Sequence, residues 1–183
     1  MTRSSQLKTA LRKHLFVTFT RPFEEGRVNG YVVDISPRFV LVAVVEDGCR
    51  FNGFQCFRLS DVHELEVPGK YAAFAEAALR KRRVRRPRKP PVSVASIEDI
   101  LKSAARAFPL VTIHRERVKP DVCQIGRIVD IHNGRVSLLQ INPDATWDGK
   151  PETYRITDIT RIDFGGDYEQ ALHLVGGVPT DRN

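Results

Sequence analysis

The sequence predicts a mainly β protein with accompanying helices: two tandem five-stranded antiparallel small barrels, each preceded and followed by a helix. Three observations carry this. The chain repeats itself, its apolar runs are short and β-branched between turn residues, and its positive charge is gathered at the seam between the repeats.

The repeat is the strongest signal. "GYVVDISPRFVLVAVV" from Gly30 aligns with "GRIVDIHNGRVSLLQI" from Gly126 at an offset of 96, and after one extra residue "FRLSDVHELEVPGKY" from Phe57 aligns with "YRITDITRIDFGGDY" from Tyr154. Identities fall at Gly30 and Gly126, Val33 and Val129, Asp34 and Asp130, Ile35 and Ile131, Arg58 and Arg155, Asp61 and Asp158, and Tyr71 and Tyr168. The resulting organisation is residues 1–86 for the first repeat with its flanking helices, 87–95 for a Pro-rich basic linker, and 96–183 for the second.

Each copy opens with a helix. Leu7, Leu11 and Leu15 recur at four-residue spacing and define one face of a helix from Ser5 to His14. Ser96, followed three residues later by Asp99, signals the second start, with Ile97, Ile100, Leu101 and Ala105 as its buried stripe. Strands follow at Phe16–Thr20, Gly26–Ile35, Phe39–Glu46, Gly53–Leu59 and His63–Val67. The second set is Leu110–His114, Gln124–Ile131, Arg135–Ile141, Glu152–Ile156 and Arg161–Phe164. Five short strands in so few residues suit a curved barrel better than a sandwich. A closing helix, "GKYAAFAEAALRKRR", turns Tyr71, Phe74, Ala78 and Leu79 inward and is stopped by Pro87; "DYEQALHLV" is its counterpart.

Composition narrows the function. With 183 residues, 42% hydrophobic and 28% charged, the chain is of the globular class. The formal net charge is +7, and Arg80 to Lys89 alone supplies +8, so the remainder sums to −1. Any attraction for a polyanion is therefore concentrated in "RKRRVRRPRK". No apolar run is long enough for a membrane span, and the run Leu15–Phe19 is too short for a signal peptide. Three cysteines, Cys49, Cys56 and Cys123, have no metal-type spacing and suit free thiols in a reducing compartment, so a cytoplasmic protein is expected.

Gly26, Gly30, Asp34 and Val40 in the first copy, with Gly126, Asp130 and Val136 in the second, resemble the first motif of the Sm-like (LSm) small-barrel fold, an SH3-like five-stranded barrel. "FRLSDV" and "YRITDI" resemble its second motif, with Arg58 and Arg155 at the arginine position and Leu59 and Ile156 where that family has glycine. The resemblance implies RNA binding on a ring of subunits. The second-motif arginine and a polar residue of the preceding loop would grip a base; that loop position reads Arg38 in one copy and Gly134 in the other.

Two readings of the basic run stand side by side. Arg80, Lys81, Arg82, Arg83, Arg85, Arg86, Arg88 and Lys89 can engage phosphates without sequence preference, since no aromatic is interleaved among them. The run can equally be a Pro-stiffened, self-repelling tether between two domains, or a docking strip for an acidic protein. Arg58 and Arg155 divide similarly between an ion pair inside the barrel, with Asp61, Asp158, Asp34 or Asp130, and contact with a ligand. Trp147, aligned with Phe51, marks either a contact site or a cap folded over the barrel end.

No enzyme is expected. Cys56 and His63 are unmatched in the second copy, where Glu152 and Thr160 stand, and neither a P-loop, a dinucleotide fingerprint nor a nucleophile elbow is present. The expectation is a non-catalytic RNA-binding protein without cofactor or metal. The competing one is a protein interaction or assembly module whose barrel edges form a homo-oligomer.

Overall fold

The structure, a computed structural model, describes residues 2–179. The chain divides into two compact units: the first runs to Pro90 and includes Val94–Ser96, and the second takes Pro91–Ser93 and the described chain from Ile97.

The first unit comprises α1 (Arg3–Lys13), β1 (Phe16–Arg21), β2 (Glu24–Ile35), β3 (Phe39–Val45), β4 (Phe51–Arg58), a 3-10 turn (Leu59–Asp61), β5 (His63–Glu66) and α2 (Ala72–Lys81). Thr2 caps α1, its hydroxyl accepting from the Ser5 N–H at 3.3 Å. The helix ends where His14 turns left-handed and the Leu15 N–H reaches back to the Ala10 carbonyl at 2.9 Å. The strands pair antiparallel in the order β5-β1-β2-β3-β4.

Successive residues of a strand face opposite sides, and both sides of this sheet are covered. On one, Leu7 and Ala10 of α1 pack with Val17, Phe19, Val28, Val40, Val42, Phe57 and Val62. On the other, Ala72, Ala75 and Leu79 of α2 pack with Phe16, Tyr31, Val45 and Cys49. β3 is buried on both faces, which is why "FVLVAVV" reads as a continuous apolar run rather than an alternation.

Two expectations need correction. The sheet of this unit is not closed into a barrel: β4 and β5 are at opposite ends of the ladder and share no pairing among the described residues. A single 3-10 turn followed by Val62 links them, and Val62, with Leu59 and Leu65 packed beside it, belongs to the apolar cluster under α1. Tyr71 and Phe74, expected inward, are 58% and 68% exposed. The small residues Ala72 and Ala75 join the buried cluster in their place.

The second unit comprises α3 (Ile97–Ala107), β6 (Val111–His114), β7 (Cys123–His132), β8 (Arg135–Gln140), β9 (Glu152–Arg155), a 3-10 turn (Ile156–Asp158), β10 (Arg161–Phe164) and α4 (Asp167–Gly176). Its order is β10-β6-β7-β8-β9, again antiparallel and again without a ladder between β9 and β10. Ile97, Ile100 and Leu101 of α3 are buried as expected, but Ala104 takes the inward position given to Ala105, which is only half-buried. Leu110, Ile141 and Leu172 form a further cluster with Ile125, Ala145 and Trp147 packed against it.

The duplication extends to backbone irregularities. A bulge interrupts the β2–β3 register between Val32 and Asp34, and another interrupts β7–β8 between Ile128 and Asp130. The Leu59 N–H donates to the Arg38 carbonyl at 2.8 Å, and the Ile156 N–H to the Gly134 carbonyl at 2.9 Å. Bulges are positional features of a fold rather than of composition, so their coincidence supports two copies of one unit.

Candidate nucleic-acid interface

The basic run begins inside α2. Arg80 and Lys81 form its last turn, where cations complement the carbonyl end of the helix dipole. The helix then stops well before Pro87, contrary to expectation. Arg83 adopts a left-handed conformation (φ 55°), its N–H donates to the Arg80 carbonyl at 3.0 Å, and the Val84 N–H donates to the Leu79 carbonyl at 3.0 Å. This is a Schellman closure, completed by apolar contact of Val84 with the cluster that holds Leu79.

Val84 thereby anchors the rest of the run to the first unit. The Arg86 guanidinium lies 3.9 Å from the centroid of the Tyr31 ring, and Lys89 Nζ is 2.7 Å from Asp34 Oδ2. The segment is not a tether free of the fold; it lies back along β2. All eight cations are nonetheless exposed. Arg80, Lys81, Arg82, Arg83, Arg85 and Arg88 make no ion pair among the described residues, which leaves six charges for a ligand. Tyr31 is held above the usual tyrosine pKa by burial and by the nearby Glu76 carboxylate, partly countered by Arg86.

Arg58 and Arg155 have diverged. Arg58 is half-buried with its guanidinium 5.8 Å from the Phe39 ring, its cross-strand neighbour; Arg38 lies at the same distance from that ring. Arg155 is exposed and stands directly across from Arg135, also exposed. The ion pairs expected for Arg155 are not formed among the described residues. Asp130 instead pairs with His132, and Asp34 with Lys89. Trp147 is half-buried, its indole N–H donating to the Gly176 carbonyl at 3.0 Å.

A polar row in the second unit escaped sequence reasoning. Arg161, His114 and Cys123 are register partners across β10, β6 and β7. Asp163 Oδ2 lies 3.0 Å from both His114 Nε2 and Arg161 Nη2. Burial alone pushes the Asp163 carboxyl up, but Arg161 and His114 together outweigh it and hold the group below the usual carboxylate range. Cys123, at the exposed end of the row, is shifted the other way, its thiol raised by partial desolvation among its neighbours and by Asp163, so it stays protonated near neutral pH. Arg161 and Asp163 come from a strand far in sequence from His114 and Cys123, and only a register would have revealed the row.

Cys49 and Cys56 are buried and in no disulfide, and His63 is exposed. No group of three metal-ligating side chains occurs among the described residues, and none of their helices is long and apolar enough to cross a membrane. No protein-family model, curated protein or solved structure matches the chain.

Proposed function

We propose that this protein is a non-catalytic nucleic-acid-binding protein, with RNA as its ligand, and that the segment Arg80 to Lys89 is its contact surface. The observation that carries the reading is the pinning of that segment: Val84, Arg86 and Lys89 hold it against the first unit while six neighbouring cations face solvent unpaired among the described residues. A strip already ordered loses less conformational freedom on binding than a flexible tail. The preference for RNA rests on the resemblance to the Sm-like small barrels, with the two units as half-open versions of that barrel. Arg155, exposed beside Arg135 at the Asn133-Gly134 turn, and Arg58 are secondary contacts in this reading.

Titration of a labelled oligo-uridine at several salt concentrations tests it. Six phosphate contacts give a slope of log K against log salt of about −4 on a single strand. Replacing the eight cations by Gln should abolish measurable affinity; undiminished affinity in that variant, or none in the parent at low salt, defeats the reading.

A second reading is favoured by the open ladders. β5 and β9 each leave one edge without a partner among the described residues, and an unpaired edge is a template for another chain. In that case the protein is an assembly module, and its solution mass is a multiple of the 20.7 kDa chain.

A further inference from the structure

The two copies treat one patch of their sheets in opposite ways. In the first unit Tyr31 lies 6.0 Å from the Phe51 ring, its hydroxyl donates to Glu76 Oε1 at 3.5 Å, and Asp34 lies further along the strand. The chain's own residues Val84 to Lys89 cover this patch, Arg86 on the ring and Lys89 on Asp34. Sheet and helix thus supply rings and carboxylates, and the covering segment supplies cations.

By the repeat alignment, Arg127 stands at the position of Tyr31, Trp147 at that of Phe51 and His173 at that of Glu76. Among the described residues the second unit has two cavities here, of about 670 and 500 Å³, both lined by Arg127, Trp147 and Pro179. Arg106 and His173 line the smaller one, and Val129, 56% exposed, lines the larger. Arg106 and Arg127 are exposed and have no ion pair among the described residues, and the buried Nδ1 of His173 has no hydrogen-bond partner among them. Among the described residues the only carboxylate in either lining, Asp148, is already engaged by Asn142 Nδ2 at 3.0 Å.

We propose that this patch binds an extended acidic peptide of a partner protein. The first unit shows the kind of occupant the patch takes, a Pro-containing extended segment with one apolar residue among charges. The second unit keeps the aspartate, as Asp130, but pairs it with His132, and it carries Arg127 and His173 where the first has Tyr31 and Glu76. Among the described residues its cavities thus present guanidiniums without a free carboxylate beside them and suit an occupant of the opposite charge. Two guanidiniums offer paired donors to carboxylates, while Trp147, fixed by its bond to the Gly176 carbonyl, and Val129 give an apolar floor. The proposal is independent of nucleic-acid binding by the first unit.

Trp147 is the chain's one tryptophan, so its emission reports on this patch alone. The probe is a synthetic peptide with the sequence of residues 80–90 in which every Lys and Arg is Glu. It is titrated into the full chain and into the variant carrying Gln at the eight cations from Arg80 to Lys89, which removes attraction to that segment. A saturable change in Trp147 emission is expected in both. Arg106→Gln with Arg127→Gln, both on exposed side chains, should weaken binding at least about tenfold, roughly 1.4 kcal/mol, with an unaltered far-ultraviolet circular dichroism spectrum. The proposal fails if emission does not change, if a Gln-for-Glu version of the peptide binds equally well, or if the double substitution has no effect. It fails also if oligo-uridine shifts the emission and the peptide does not, which would make the patch a nucleic-acid contact.

Discussion

The Arg86 guanidinium lies 3.9 Å over the Tyr31 ring, and this contact fastens the most basic segment of the chain to the strand beneath it. A partly desolvated cation on an aromatic face contributes about 1 kcal/mol. Arg86→Ala should therefore raise the population of a lifted segment by about fivefold, and trypsin should cut within residues 80–89 correspondingly faster, because cleavage tracks the open population. Global stability should change by no more than about 1 kcal/mol. An unchanged cleavage rate would mean that Val84 and Lys89 alone hold the segment.

The helix end beneath it offers a substitution in the stabilising direction. Arg83 occupies the left-handed position of the Schellman closure, where a Cβ costs about 1 kcal/mol and glycine costs nothing comparable. Arg83→Gly should raise the urea midpoint by an amount equivalent to about 0.5 to 1 kcal/mol. If the segment binds RNA, the same change should make the salt slope shallower by about 0.7, one phosphate contact.

The order and type of the helices and strands were legible in the sequence because short β-branched runs and turn residues leave little freedom, and the repeat allowed each copy to check the other; the two 3-10 turns were not. Barrel closure was not, since it depends on whether β4 and β5 meet, and both candidate strands read the same whether or not they pair. The inward face of α2 was misassigned for a different reason. Tyr71 and Phe74 are the aromatic side chains of "YAAFAEAALRK", and hydrophobicity favours burying them, but the helix turns Ala72, Ala75 and Leu79 to the sheet instead. The charge of the candidate interface was plain in "RKRRVRRPRK"; its docking was not, because Arg86 meets Tyr31 across more than fifty residues of sequence.

The paired glycines give a test of the duplication. A Cβ on Gly30 would collide with the Ala43 carbonyl oxygen of the adjacent strand, and a Cβ on Gly126 with the Leu139 carbonyl oxygen. The obstacle in each case is backbone in a ladder and cannot rotate away. Gly30→Ala and Gly126→Ala should each destabilise by about 1 to 3 kcal/mol in urea unfolding, despite the higher strand propensity of alanine. Gly26→Ala, which has open space around it, should be near neutral. Equal behaviour of all three would show that the close strand approach is not required.

Asp163 sets the acid response of the second unit. Its Oδ2 accepts from Arg161 and faces His114, Thr112 is its register partner, and Glu116 lies 4.0 Å from Arg161 on the far side. The folded pKa is depressed below the unfolded value of about 3.9, so the folded state binds this proton more weakly than the unfolded state. The associated stability is fully present above about pH 4 and is lost as pH falls through the depressed value. Asp163→Asn should therefore cost on the order of 3 kcal/mol at about pH 5, where it leaves the Arg161 guanidinium without its carboxylate. At low pH, as the parent's carboxyl takes up its proton, the gap between parent and variant should narrow. Urea unfolding of both proteins at the higher and the lower pH measures it. A gap that stays constant between them would mean that Asp163 contributes through shape and hydrogen bonding rather than through its charge.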